Sequence, residues 1–304
     1  RTPLHDAAKN GELDIVRYLV EYGHANVNKE NNKGETPLHI AADNRNLKVI
    51  MYLAEKGNVD INAVRNQHGQ LILHIAAING DKDLVQQLLN QGANINAQDC
   101  GGETPLLGAA YRENYEIVRL LIANGADVKI KNNLDQAPIH VAALRGDCKL
   151  ARLLVEKRVG VNTKNNRFGA PLHIAAERGN YELARLLVEN GANVNIKDND
   201  GKTPLHIAAA RGDCELARLL VGNGADVNAT DDDGKTPLHI AAASIYYLIV
   251  YCLIEHGADI NARTTQGKTP LQIAAEFRCG DIVIDLLMRI LMQQIRIDDL
   301  TPKS

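Results

Sequence analysis

The chain has 304 residues, a formal net charge of −3, 45% hydrophobic residues, 4% aromatics and no tryptophan. That balance gives no support to nucleic-acid binding, which needs a basic surface. Five cysteines, Cys100, Cys148, Cys214, Cys252 and Cys279, include no Cys-x-x-Cys pair, so neither a metal cluster nor a disulfide framework is expected and a reducing, cytoplasmic setting is.

The chain opens directly on a motif that then recurs. Thr-Pro-Leu-His stands at Thr2–His5, Thr36–His39, Thr203–His206 and Thr236–His239, and variants begin at Leu71, Thr104, Ala137, Ala170 and Thr269. The spacings are 34, 35 and then six times 33. A fixed period of this size is one supersecondary unit repeated, so an array of nine repeats is expected rather than one globular core. The first residue is not Met and the first repeat starts abruptly, which reads as a fragment lacking upstream sequence.

Repeat 7, Asp198 to Thr230, shows the grammar most plainly. Asp198-Asn199-Asp200-Gly201 is a turn signal. Thr203 is a good N-cap and Pro204 fits the first helical position, where a missing N–H costs nothing. A short helix through Ile207 and Ala208-Ala209 ends at Arg211-Gly212-Asp213, and its small alanines admit a second helix closely. Leu216, Leu219, Leu220 and Val221 give that second helix a 3–4 spaced stripe. Gly224 follows as a left-handed C′ residue.

Departures are concentrated in repeats 4, 5, 6 and 8. Repeat 4 has Leu107 and Gly108 where His and Ile usually stand. Repeat 5 has Asp135 at the turn glycine and Arg158 at the glycine after the second helix, where Gly160 is the candidate replacement. A non-glycine residue in the left-handed region costs about 1–2 kcal/mol. Repeat 6 carries Phe168 at the turn glycine with Gly169 one residue later, either a contact residue on a finger tip or a tucked side chain. In repeat 8, Ile245, Tyr246, Tyr247, Leu248 and Tyr251 replace polar residues. This is a secondary candidate patch for a partner or for weak self-association, unless residues 282–300 fold over it as a helical cap. Leu238–Ile254 carries no formal charge but falls just short of a membrane span and keeps the repeat register.

The pattern resembles the ankyrin repeat: the T-P-L-H-x-A-A opening, the paired helices and the G-A-D-V-N ending all stand in Asp198–Thr230. The resemblance covers residues 1–290, with 291–304 as a C-terminal helical extension or cap. It implies an all-α solenoid of stacked helix-turn-helix units with hairpin-like fingers, and a monomeric, non-enzymatic protein-interaction module that binds on its concave face. The alternative is a substrate-targeting or scaffold region of a larger enzyme, membrane protein or secreted bacterial effector delivered into a host cell.

The position two residues past each Ala-Ala pair reads Asn10, Asn44, Asn79, Arg112, Arg145, Arg178, Arg211, Ser244 and Phe277. Family resemblance puts it on the concave side. Arg112, Arg145, Arg178 and Arg211, with Tyr111 and Phe277, are therefore the candidate partner-binding residues, and an acidic protein or peptide is the partner they suit. Glu113, Asp147, Glu177 and Asp213 are close enough in sequence to neutralise that row instead. A second row, Arg119, Arg152, Arg185 and Arg218, has Glu three residues before three of its members and reads as a solvated outer face.

The motif histidines, His5, His39, His74, His140, His173, His206 and His239, are not a metal site. Repeats stack about 10 Å apart and metal–His bonds are about 2 Å, so the resemblance's implication, hydrogen bonding within and between repeats, is preferred. No phosphate loop, G-x-S-x-G, H-E-x-x-H or EF-hand is present. No catalytic residue, cofactor or metal is expected.

Overall fold

The computed structural model describes residues 1–32, 34–57, 62, 65–156, 160–244, 246–276 and 288. Among these residues the chain is helical, with seventeen helices and, beyond them, two isolated bridges, Arg65 with Leu71 and Asn165 with Gly169. The chain divides into two compact halves, Arg1–Val141 and Ala142–Ser304. The first holds helix pairs α1 (Pro3–Asn10) and α2 (Leu13–Glu21), α3 (Pro37–Asp43) and α4 (Leu47–Gly57), α5 (Ile72–Asn79) and α6 (Lys82–Asn90), and α7 (Pro105–Tyr111) and α8 (Tyr115–Ala123). Helix α9 (Pro138–Arg145) crosses the division. The second half continues with α10 (Cys148–Val155), α11 (Pro171–Arg178), α12 (Tyr181–Glu189), α13 (Pro204–Arg211), α14 (Cys214–Gly222), α15 (Pro237–Ala242), α16 (Tyr247–Glu255) and α17 (Pro270–Glu276).

Each repeat is built by the same local rules. In repeat 7 the Asp198 carboxylate accepts the N–H groups of Asp200 and Lys202, both at 2.9 Å. This closes the finger while Gly201 turns the chain at φ +74°. Thr203 is the N-cap and Pro204 opens α13; Gly212 ends it at φ +70°. Asp213 then caps α14 by accepting Leu216 N–H at 2.9 Å. Gly224 takes the left-handed conformation expected of it, φ +86°. The core alanines Ala175, Ala176, Ala208 and Ala209 are fully buried, so any larger side chain there would force the helix pairs apart.

Buried histidines join one repeat to the next. His206 Nδ1 accepts the Thr203 N–H at 3.1 Å and lies 2.8 Å from its hydroxyl. An acceptor Nδ1 leaves the proton on Nε2, which donates to the Lys235 carbonyl at 3.0 Å in the following repeat. His173 and His239 repeat this bridge to Lys202 and Lys268; in the first half His5 and His74 do so to Glu35 and Glu103. In these five repeats the motif histidine is thus a strut to the next repeat, because its two nitrogens reach backbone groups that would otherwise be buried and unpaired.

The irregular repeats show how the strut is replaced. In repeat 4 Leu107 is fully buried and cannot donate. Tyr111 takes over, its hydroxyl donating to Gln136 Oε1 at 2.6 Å and receiving Asn132 Nδ2 at 3.3 Å. Gly108 is explained by its neighbour: a Cβ there would fall 2.9 Å from Ile78 Cγ1. Ile78 occupies the space that an isoleucine at 108 would fill.

Asp135 does sit in the left-handed region, φ +60°, and pairs with Lys131 at 2.9 Å. In repeat 6 the turn has moved by one residue. Phe168 keeps an ordinary φ and Gly169 takes φ +74°. Gly169 has no side chain to meet Asn165, whose buried Nδ2 is left unpaired; the equivalent Asn66 and Asn132 donate to Gln70 and Gln136. Gly160 does not replace the glycine missing at Arg158, since its φ is not positive; residues 157–159 lie outside the described residues, as does the cap expected over 291–304.

Arg45 gives a direct test of left-handed strain. It is exposed at φ +57°, where repeats 1, 3, 5, 6 and 7 carry Gly11, Gly80, Gly146, Gly179 and Gly212. Arg45→Gly is expected to raise the unfolding free energy by about 1 kcal/mol, the cost of Cβ crowding in that region. Urea denaturation of the variant checks it; an unchanged or lower midpoint refutes it.

Candidate functional site

In the second half the fingers of repeats 6 and 7 and the first helices α11, α13 and α15 enclose a groove of about 730 Å³. Its floor is apolar: Leu144, Ile174, Ile207 and Ile240 line it, with Phe168 at a finger tip. Ile174, Ile207 and Ile240 are the same position of successive repeats, the residue after the strut histidine, so the repeat period itself lays down the row. The walls are charged, with Arg167, Arg178, Arg211 and Lys202 against Glu177, Asp198 and Asp200.

Most of those charges are already engaged. Lys202 pairs with Asp200 at 3.1 Å, Asp198 holds its turn, and the Arg167 guanidinium lies 4.9 Å from the centre of the Phe168 ring. Arg211 donates from Nη1 to the Glu177 carbonyl at 2.8 Å. That contact has a sequence reason. Asn46, Asn114 and Asn180, the residues before the second helices of repeats 2, 4 and 6, each donate to carbonyls at the end of the preceding first helix. Repeat 7 has Asp213 there, which cannot donate through its carboxylate, and Arg211 supplies the missing N–H. Arg178, exposed at the end of α11, is left as the uncommitted cation of the groove among the described residues.

The structure therefore brings Arg178 and Arg211 together and gives the other candidates different settings. Arg112 caps the end of α7 in the first half and is exposed. Arg145 is exposed at the end of α9. Tyr111 is half-buried in its Gln136–Asn132 network, and burial pushes its phenol above the ordinary value. Phe277 and Ile245 lie outside the described residues. Tyr246 is partly spoken for, because its ring packs on Gly212 so closely that a Cβ there would fall 2.5 Å away. Tyr247, Leu248 and Tyr251 are exposed on α16. The outer arginine row pairs differently from the spacing reading: Arg185 binds Glu189 at 2.8 Å, one turn ahead, and Glu116 meets Lys82 of the preceding repeat at 3.7 Å.

Burial holds His173, His206 and His239, and His74 in the first half, below the ordinary imidazole value. Desolvation of the charged form is the cause, only partly opposed by the bond to the next repeat's carbonyl. Burial outweighs that bond and favours the uncharged ring. A second groove, about 1060 Å³, lies in the first half along α2, α4 and α6, lined by Leu13, Leu47, Met51, Tyr52 and Leu84; none of the candidate residues reaches it. Among the described residues no three His, Cys, Asp or Glu side chains are placed to hold a metal ion, and no helix is long and apolar enough to cross a membrane.

Comparison with known proteins agrees with this architecture. The profile of the family described as ankyrin repeats (3 copies) matches residues 1–65, 57–132, 73–165, 139–231 and 205–299. A crystal structure of the ankyrin repeat domain of Bcl-3, a member of the IkappaB protein family, superposes with a TM-score of 0.66 at 27% identity, covering 73% of this chain and all of that one. The E3 ubiquitin-protein ligase KEG of Arabidopsis thaliana is 27% identical over 106 residues, 35% of this chain. The chain spans only 6% of that ligase's length. Strut histidines, alanine-paired helices, glycine-turned fingers and a family match running through nearly every repeat lead to one assignment: the chain belongs to the ankyrin-repeat family.

Proposed function

We propose that this chain is a protein-interaction module whose second half grips a segment of a partner protein in the groove between the repeat 6 and 7 fingers and α11, α13 and α15. One observation carries the reading: an uncommitted guanidinium, Arg178, lines the same groove as an apolar floor of half-buried Ile207 and Ile240. A segment that sets an aliphatic side chain on that floor and a carboxylate on Arg178 satisfies both features at once, since a charge-assisted Arg–carboxylate contact supplies direction and the floor supplies area. Arg211, fixed by its bond to the Glu177 carbonyl, presents its remaining N–H groups without needing to be ordered on binding.

Such a role requires no chemistry from the chain itself. The match to part of a much longer ligase is consistent with a second reading, the interaction region of a larger protein. Free thiols at Cys100, Cys148, Cys214 and Cys252 suit a reducing compartment, and the exposed Tyr247, Leu248 and Tyr251 remain a secondary surface for a partner or for self-association.

The test is affinity capture with the whole chain followed by titration of the captured partner against Arg178→Glu. Reversal of a charge that faces a carboxylate is expected to weaken binding at least tenfold, about 1.4 kcal/mol. Arg178→Glu is the clean probe, because Arg211→Glu also removes an inter-repeat bond. Unchanged affinity in a natively folded Arg178→Glu variant refutes the groove.

A further inference from the structure

A hydrogen-bonded bridge that joins fingers in the first half loses its middle at repeat 6. In repeat 3 the Gln70 carboxamide links its own finger to the next: Oε1 accepts Asn66 Nδ2 at 3.1 Å, and Nε2 donates to Asp99 Oδ2 at 3.3 Å. Asp99 keeps Oδ1 for its own turn, accepting the Gly101 and Glu103 N–H groups at 2.8 and 2.9 Å. Repeat 6 has both ends of this bridge. Asn165 is the counterpart of Asn66; it is 1% exposed and its Nδ2 is unpaired. Asp198 is the counterpart of Asp99 and likewise takes two turn amides on Oδ1, so Oδ2 is the oxygen a bridging amide would meet. Gly169 stands where Gln70 does.

The chain does not fill that place itself. Gly169 turns at φ +74°, and a Cβ on it would fall 3.0 Å from Asp198 Cβ and 3.1 Å from His173 Nδ1. Gly169, Asp198 and His173 all line the groove of the second half. The place left by the glutamine is therefore bordered by groove residues, with a donor at one end and an acceptor at the other. A primary carboxamide satisfies both, accepting through oxygen and donating through nitrogen. A carboxylate offers no donor and meets Asp198 as a like charge, and an aliphatic side chain leaves both ends unpaired.

We infer that the groove reads a glutamine or asparagine of its partner, with the carboxamide seated at Gly169 between Asn165 Nδ2 and Asp198 Oδ2, as Gln70 is between Asn66 and Asp99. This rests on the groove reading above for its setting: the same segment places an aliphatic side chain on Ile207 and Ile240 and a carboxylate on Arg178. Selectivity comes from pairing. A buried donor without an acceptor is destabilising, so a side chain that supplies one is favoured over an analogue that leaves it bare.

The test is a nuclear magnetic resonance titration of the whole 15N-labelled chain with N-acetyl-glutamine methylamide at millimolar concentrations. The methionine and glutamate analogues are the comparisons. The Asn165 side-chain amide signals are assigned by their loss in Asn165→Asp, a residue that repeats 4, 7 and 8 carry naturally as Asp99, Asp198 and Asp231. The expected result is a saturable downfield shift of those signals with the glutamine probe, and at least tenfold weaker response to the other two. Phe168→Gly with Gly169→Gln rebuilds the Gly69-Gln70 turn of repeat 3 and should abolish the response, whereas Phe168→Gly alone should keep it. The response should also persist in Arg178→Glu, so failure of the carboxylate contact and failure of the carboxamide seat are read separately. Unmoved Asn165 signals, or equal movement with the methionine or glutamate probe, overturn the inference.

Discussion

Lowering the pH from 8 to 5.5 is expected to shift the urea midpoint of this chain steeply downward, with the decline beginning near pH 6.5. His74, His173, His206 and His239 are held below the ordinary imidazole value of 6.5 in the folded chain by desolvation. Protonation would also set an N–H on Nδ1 against the N–H it now accepts, such as that of Thr203. Unfolding exposes the four rings and returns them to about 6.5. Between the two values the unfolded chain binds more protons than the folded one, so stability rises with pH there. The stabilisation is complete above about 6.5 and is lost as the pH falls below it towards the depressed folded values. A difference of one bound proton is worth at most about 1.4 kcal/mol per pH unit, a sizeable share of the about 5–15 kcal/mol that stabilises many domains. Urea titrations at pH 8, 7, 6 and 5.5 measure the slope, and His206→Leu should lessen it by one proton. A midpoint flat across that range refutes the prediction.

How much of this was readable from the residues alone depends on whether a feature belongs to the period. The strut role of His206 comes from the family resemblance, whereas helix starts at Pro204 and Pro237 and the stop at Gly212 are written by residue types with one dominant local use. They repeat at a fixed interval, so pattern and structure coincide. The groove floor, Ile174, Ile207 and Ile240, repeats just as regularly, but which positions face a common space depends on the packing of first helices, and that is not local. The arginine row was visible as a row, yet not its division of labour. Arg211 is drawn to the Glu177 carbonyl only because residue 213 is Asp rather than Asn, and that coupling spans two repeats. Tyr111 is a similar case. Its type and position suit a contact residue, and nothing local signals that its hydroxyl is engaged by Gln136 in the repeat where Leu107 removed the strut.

The exchange of bulk between Ile78 and Gly108 makes a second large prediction. Glycine inside a helix costs about 1 kcal/mol relative to alanine, so filling position 108 should help wherever there is room. There is none, because a Cβ would stand 2.9 Å from Ile78 Cγ1. Gly108→Ile adds three further carbons to a site where residues 106–110 are all buried, and overpacking of this kind costs about 3 kcal/mol, the upper part of its usual range. Ile78→Ala alone leaves a gap over Gly108 and costs about 2 kcal/mol, the low end for such truncations because Ile78 is only half-buried. The double variant recreates the arrangement between repeats 7 and 8, alanine at Ala210 and isoleucine at Ile240, and should lie within about 1 kcal/mol of the parent, since volume-conserving swaps are tolerated. The cycle is read from four urea midpoints, and its coupling should be about 4 kcal/mol, the two single costs less the residual of the pair. Simple additivity would mean that Ile78 moves freely aside and that repeat 4 is not packed around its glycine.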